Sequence, residues 1–409
     1  MYRVVLGGLL AITSLIPAPA EAATSALVAG KPVVANQPPR VLGAAAPRGL
    51  GAAGTSRPAK APYLPKPTGS RPVGAVQLHL KDTSRPDPWV PSVKMRELMV
   101  TVWYPAKAPG RRRAPYMTAK ESELLLKDGE VTGVPPGILA TTRTHAFTDA
   151  RPHGKRRSLP LVVLSPGFKK PRATLTALAE DLASRGYVVA GIDHTYESVA
   201  TAFPGGRVTT CVPCEGPQTP ATSTKAAKGR AADVAFVIDR LTGERAAWKG
   251  AGLVDRGRIA MAGHSLGGAS SLAAMVKDVR IRAGIDIDGT VPDGVLDSDL
   301  GRPFMFLGKP STYTPGSGDP AAATWEAAWK RLTGWKRWLL MTGAAHETFN
   351  DLGPLAQQLG LGAGSQVPGP RAWELTRLYV GAFLDLHLRN KPRPMLDRPS
   401  HPEIVHGRM

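Results

Sequence analysis

Cysteine is nearly absent from this sequence: Cys211 and Cys214 are the only two in 409 residues. That excludes a disulfide-rich scaffold and leaves too few thiolates for a cysteine-built zinc centre. No second pair of sulfur or nitrogen ligands follows at zinc-site spacing. The Cys-Val-Pro-Cys stretch sits among Gly, Pro and Thr, not at the strand-to-helix junction that a redox pair occupies. A local disulfide pinning its loop is the expectation. Acidic residues are also scarce, 32 against 52 Lys and Arg, which leaves a net charge of +20. The excess favours an anionic membrane or wall surface as partner, although a solvated Arg-rich surface has the same composition. Tight basic clusters occur only at Arg111-Arg112-Arg113 and Lys155-Arg156-Arg157. No recognition motif accompanies them, so nucleic acid is not an expected partner. After the first 22 residues no uncharged apolar run approaches the roughly 20 residues that span a bilayer.

What is present begins with an export signal. Met1-Tyr2-Arg3 is a short basic start, Val4 to Ile16 is an apolar core too short to span, and Ala20-Glu21-Ala22 is a small-x-small cleavage site. Residues 1–22 are therefore expected to be a secretory signal, which implies a secreted protein. Residues 23–70, rich in Ala, Pro, Gly and Arg, read as a flexible lead. The catalytic domain is expected over 71–392, followed by a tail over 393–409.

Within that domain two antiparallel strands come first, Val73 to Leu80 and Glu97 to Tyr104. From residue 159 the pattern becomes alternating strands and helices. Leu161-Val162-Val163-Leu164 is continuously apolar, as a parallel strand buried on both faces must be. Further strands are expected at 187–192, 258–262, 281–287, 304–307 and 338–341, with helices at 173–185, 226–241, 266–276, 321–331 and 372–388. The fold class is α/β: a mainly parallel central sheet flanked by helices, with an antiparallel N-terminal edge. Ligands of such sheets bind at the carboxyl ends of the strands.

Gly263-His264-Ser265-Leu266-Gly267 lies between a strand and a helix. The bare pattern also arises by chance in Gly-rich sequence, but a preceding strand, a following helix and a further Gly268 give it the setting of a nucleophile elbow. A Ser on that strained turn has its hydroxyl pushed out of the sheet edge. A serine needs a base, and in this arrangement the base comes after the last strand. His346, in Gly343-Ala344-Ala345-His346, is so placed. His387 falls inside the closing helix, and His401 and His406 fall in the tail. The imidazole needs an acid to fix its tautomer. Asp288 follows the 281–287 strand; Asp286, two residues earlier, shares its face deeper in the sheet and is the second choice, as a buried support. The oxyanion requires two backbone N–H donors. Leu266 supplies one. Phe168, in Ser165-Pro166-Gly167-Phe168, is the candidate for the other, since Pro166 has no N–H. No metal and no organic cofactor are implied.

The chain resembles the platelet-activating factor acetylhydrolase and lipase-like branch of the α/β-hydrolase superfamily over roughly residues 70–390. The carriers are Leu161 to Phe168, Asp181 to Ala190, Asp193-His194, Gly263 to Ala269, Gly284 to Asp288 and Gly343 to His346. The resemblance puts the family's triad on Ser265, Asp288 and His346 and its oxyanion donors on Phe168 and Leu266, which favours Asp288 over Asp286. It implies hydrolysis of short or oxidised acyl groups from phospholipids, or of other esters. Family members often carry His-Gly where this chain has Pro166-Gly167.

The leading functional reading is thus a secreted serine ester hydrolase acting through an acyl-enzyme on lipid or short-acyl esters. An acyltransferase on envelope lipids and a polyester or cutinase-type hydrolase are the alternatives within the fold. A non-catalytic polymer-binding protein is the alternative outside it. Two features keep two readings each. Trp325, Trp329, Trp335 and Trp338 either line a lipid or acyl surface or pack a helix on the sheet. His194, after the 187–192 strand, either lines the site or anchors a turn.

Overall fold

The computed structural model describes residues 60–362 and 364–408. The expected signal, 1–22, and the lead up to residue 59 lie outside the described residues.

The strands in chain order are β1 (Val73–Asp82), β2 (Arg96–Pro105), β3 (Phe147–Thr148), β4 (Leu159–Ser165), β5 (Val188–His194), β6 (Thr201–Ala202), β7 (Val208–Thr209), β8 (Val254–His264), β9 (Ile281–Ile287), β10 (Phe304–Gly308), β11 (Lys336–Met341) and β12 (Ile404–His406). The helices are α1 (Ala119–Asp128), α2 (Thr176–Ser184), α3 (Pro220–Thr242), α4 (Leu266–Lys277), α5 (Pro310–Tyr313), α6 (Pro320–Arg331), α7 (Leu352–Gln358) and α8 (Gly369–Arg389). Strands β6 and β7 form a separate hairpin. The others make one sheet in the order β12-β11-β10-β9-β8-β4-β5-β2-β1-β3. The run from β5 to β11 is parallel, and both flanks carry antiparallel pairs: β2 with β5 and β1, and β11 with β12. This is the α/β-hydrolase arrangement.

Alternation along β4 explains the layers. Leu161 and Val163 point into one core, with α3, α4 and α6; Val162 and Leu164 point into the other, with α2 and α8. All four are fully buried. Each contributes on the order of 1.5–3 kcal/mol over remaining exposed. The neighbouring β8 behaves alike, with Ile259 and Met261 on the first side and Ala260 and Ala262 on the second. A strand sealed on both faces presents chemistry only at its end.

Two boundaries differ from expectation. Residues 61–70 belong to the folded domain: Leu64 is buried, its N–H is bonded to the Arg143 carbonyl at 3.0 Å, and Thr68 N–H is bonded to Asp181 at 2.7 Å. The stretch 393–408 is likewise part of it, because β12 pairs with β11 and Leu396 is buried. Neither stretch has apolar periodicity; isolated anchors hold each one down. The expected last strand at 338–341 is therefore followed by another. Helix α3 starts six residues before the expected Ala226, with Pro220 in its first turn and Thr219 capping the N–H of Thr222. Among the described residues no helix is long and apolar enough to cross a membrane.

Candidate active site

Ser265 directly follows β8 and caps α4 with φ 56° and ψ −129°. A non-glycine residue held there stores roughly 1–3 kcal/mol of strain, which its surroundings must enforce. They do so through contacts that only glycine allows. A Cβ on Gly263 would lie 2.2 Å from the Gly267 carbonyl carbon, and one on Gly267 would lie 2.0 Å from the Ser165 carbonyl oxygen. The Ser265 N–H is bonded to the Ile287 carbonyl at 2.7 Å, which ties the elbow to the end of β9.

Asp288, one residue beyond β9, also has positive φ, 57°. Its backbone N–H reaches the Leu307 carbonyl of β10 at 2.9 Å. Its carboxylate is buried and doubly held. Oδ1 accepts the Lys309 N–H at 2.8 Å, and Oδ2 accepts from His346 Nδ1 at 2.6 Å. His346 follows β11, with its side chain about two-fifths exposed. With Nδ1–H donating to Asp288, Nε2 is the nitrogen left with a lone pair. Asp286 lies deeper. Its Oδ1 accepts the Gly289 N–H at 3.0 Å, while burial and then the Asp288 charge push its carboxyl well above the usual range. It is buried and makes no bond to the imidazole.

Ser265, Asp288 and His346 line one cleft of about 820 Å³ together with Leu266 and Phe168. Leu266 is the first residue of α4, so its N–H has no acceptor within the helix. The Phe168 loop follows β4 and lies against the elbow: a Cβ on Gly167 would sit 3.3 Å from Ser265 Cβ. The rest of the wall mixes hydroxyls, such as Thr219, Thr222 and Thr290, with apolar Ala226, Val291 and Ala321. Among the described residues no cluster of three or more His, Cys, Asp or Glu side chains is placed to hold a metal ion.

His264 is buried behind His346, with ring centres 4.4 Å apart. Its Nε2–H donates to the His346 carbonyl at 2.8 Å, and its Nδ1 accepts from Asn350 at 3.2 Å. Burial and the neighbouring His346 hold its pKa down at about 4, so it stays neutral. Asn350 also donates to Glu347, which completes a brace under the His346 loop. Sequence reading left His264 without a task, because its partners lie more than 80 residues away in a loop with no motif.

The tryptophans divide. Trp325 and Trp338 are buried; Trp325 stacks on Tyr313 at 3.9 Å and on Phe306 at 4.4 Å. They pack α6 against the sheet. Trp329 and Trp335 are half-buried at the edges of the two cores. Cys211 and Cys214 are joined in a disulfide.

His194 does not line the cleft, and its carbonyl accepts the Glu197 N–H at 2.9 Å in the turn that follows β5. It is buried behind the Phe168 loop, with Nδ1–H donating to Asp233 Oδ2 at 2.7 Å and Nε2 facing Ser165 Oγ at 2.9 Å. Asp233 is also bonded to Arg96 at 2.8 Å. Arg230, one turn before Asp233 on α3, bonds to Glu197 at 2.7 Å and to the Pro166 carbonyl at 2.5 Å. Sequence reading missed this cluster. Its one signal was Arg and Asp three residues apart on an otherwise apolar helix face.

A family model described as platelet-activating factor acetylhydrolase, isoform II, matches residues 62–206 and 245–358. The chain belongs to this family. A probable 1-alkyl-2-acetylglycerophosphocholine esterase of Arthroderma benhamiae is 28% identical over 382 residues, which cover 84% of this chain and 93% of that protein. A platelet-activating factor acetylhydrolase of Gallus gallus is 26% identical over 182 residues, 36% of this chain and 43% of that protein. The solved structure of a ferulic acid esterase from Streptomyces cinnamoneus superimposes with a TM-score of 0.75 at 42% identity, covering 85% of this chain and all of that one. As a member of this family, the protein is a carboxylic ester hydrolase.

Proposed function

We propose that the protein hydrolyses short-acyl esters through an acyl-enzyme on Ser265. The observation that carries the reading is the 2.6 Å bond from His346 Nδ1 to a fully buried Asp288, in the same cleft as a serine on a strained elbow. In the first step Ser265 Oγ attacks the carbonyl carbon while His346 Nε2 takes the hydroxyl proton. Asp288 holds the ring in the tautomer that leaves Nε2 free and stabilises the imidazolium that forms. The oxyanion is held by the N–H groups of Leu266 and Phe168. His346 then gives its proton to the leaving alcohol, and water repeats the sequence to free the acid.

The relatives named as a 1-alkyl-2-acetylglycerophosphocholine esterase and a platelet-activating factor acetylhydrolase support a short acyl group. The neighbour named as a ferulic acid esterase, together with Phe168 and Tyr313 at the cleft, supports an aromatic acyl group as the second reading. A p-nitrophenyl ester series from acetate to palmitate, run beside methyl ferulate, tests both. The first reading predicts a maximum kcat/KM at two to four acyl carbons. Rising activity out to palmitate would contradict it, and ferulate outperforming every alkyl ester would establish the second. Added alcohol acceptors separate hydrolysis from acyl transfer by product. Export is part of the proposal and is supported by the signal-like residues 1–22 and by the Cys211–Cys214 bridge, a bond that persists in oxidising compartments.

A further inference from the structure

The Phe168 N–H belongs to the peptide that joins Gly167 to Phe168. Glycine on one side makes that peptide free to flip, and a flip would turn the donor away from Ser265. Something must hold the loop. On the downstream side main-chain bonds do so. The Gly167 carbonyl, on the same peptide, accepts the Lys170 N–H at 3.2 Å; Lys169 N–H is bonded to the Glu197 carbonyl at 3.1 Å, and Val199 N–H to the Lys169 carbonyl at 2.9 Å. On the upstream side, among the described residues, no main-chain partner does this work. The Pro166 carbonyl, on the preceding peptide, accepts instead from Arg230 Nη1 at 2.5 Å.

Arg230 is itself fixed. It is about 1% exposed, and its Nε donates to Glu197 Oε2 at 2.7 Å, so one residue clamps the loop downstream through its backbone and upstream through Arg230. Nη1 also lies 3.3 Å from Ser165 Oγ. The proton order is then determined. Arg230 only donates, so Ser165 Oγ accepts from it and sends its own O–H to His194 Nε2 at 2.9 Å. His194 passes Nδ1–H to Asp233 at 2.7 Å. Burial and the Arg230 charge lower the His194 pKa, the direction that favours the neutral ring. All the members are buried. A buried charge network costs stability to assemble and is a poor stabiliser compared with apolar packing. Its place directly behind one loop peptide points to a purpose other than stability.

We propose that Arg230, supported through Ser165 by the His194–Asp233 pair, is a positioning residue that sets the Pro166–Gly167 peptide and thereby aims the Phe168 N–H at the developing oxyanion. The proposal rests on the reading of Ser265 as nucleophile. It predicts a loss confined to the transition state. Arg230→Gln should lower kcat by up to about 100-fold, approaching the cost of one missing oxyanion donor, with KM within about threefold. Ser165→Ala, which keeps the arginine and removes only the Oγ relay, should lower kcat several-fold, also at constant KM. Arg230→Lys should recover part of the loss. Affinity for an alkyl boronic acid, whose adduct carries the tetrahedral oxygen, should fall in step with kcat, while inhibition by the alcohol product stays unchanged. If Arg230→Gln does not fold, Ser165→Ala carries the test alone. Wild-type kcat and boronate affinity in the folded variants, or losses that appear in KM alone, would overturn the proposal. Full activity in Ser265→Ala would instead overturn the nucleophile assignment. An inactive Ser265→Ala beside an unimpaired Arg230→Gln would overturn only the positioning role.

Discussion

The molecule contains two Ser-His-Asp chains. Ser265, His346 and Asp288 line one cleft at the carboxyl ends of β8, β9 and β11; Ser165, His194 and Asp233 are hydrogen-bonded in series behind the end of β4. In both, the imidazole Nδ1 points at a carboxylate, at 2.6 Å and 2.7 Å. The difference lies in the serine and in access. Ser165 has ordinary strand geometry and is fully buried, with its Oγ between an arginine and the imidazole. Ser265 sits at φ 56°, on the wall of an open cleft, with a helix N-terminus beside it. The same three residue types therefore stand in two settings, one on a strained turn open to the cleft and one buried beside a cation.

Exchanging members between the two chains breaks this comparison most sharply. Ser265→Ala should lower kcat by about 10⁴-fold or more, against several-fold for Ser165→Ala. Comparable losses in the two would erase the distinction. The acids sharpen it. Asp288→Asn should lower kcat by about 10⁴-fold, through loss of the productive tautomer, with little change in melting temperature. Asp233→Asn should act in the opposite sense. It leaves Arg96 and Arg85 short of a buried counter-charge, a change worth about 3–5 kcal/mol in stability, with a smaller effect on kcat. Calorimetry beside steady-state kinetics on the two variants checks both halves.

The smallest expected effect is on pH. His264 has a folded pKa near 4, against about 6.5 for an unfolded histidine. Between those values the unfolded chain binds a proton that the folded chain refuses, so stability falls as pH drops from 6.5 toward 4. The full loss is on the order of 3 kcal/mol per such group. His387, held down to about 4 by burial and the Arg337 charge, adds a slope of the same sign. His264→Gln should therefore make the acid-side fall in melting temperature shallower. An unchanged slope would show that His264 already carries a proton in the folded state.

Much of the fold and the nomination of Ser265, Asp288 and His346 were legible in the sequence for one reason: Ser265 and Asp288 directly follow apolar strands, His346 comes in the loop after one, and strand ends are visible as apolar runs. The Phe168 loop was legible in the same way. Arg230, His194 and Ser165 were not, because their meaning is a set of contacts spanning 29 to 65 residues across separate elements. No local pattern records which side chains meet behind a loop. Residues 61–70 and β12 escaped for a related reason, since single anchors such as Leu64 and Leu396 hold them and carry no period.

Covalent labelling tests the distinction between the two serines most directly. The protein is treated with a fluorophosphonate and digested with trypsin. Ser265 then lies in the fragment 259–277 and Ser165 in the fragment 158–169. The account predicts stoichiometric phosphonylation of the first fragment, located at Ser265 by fragmentation, and none of the second. A label on the Ser165 fragment, or no label on either, would contradict it.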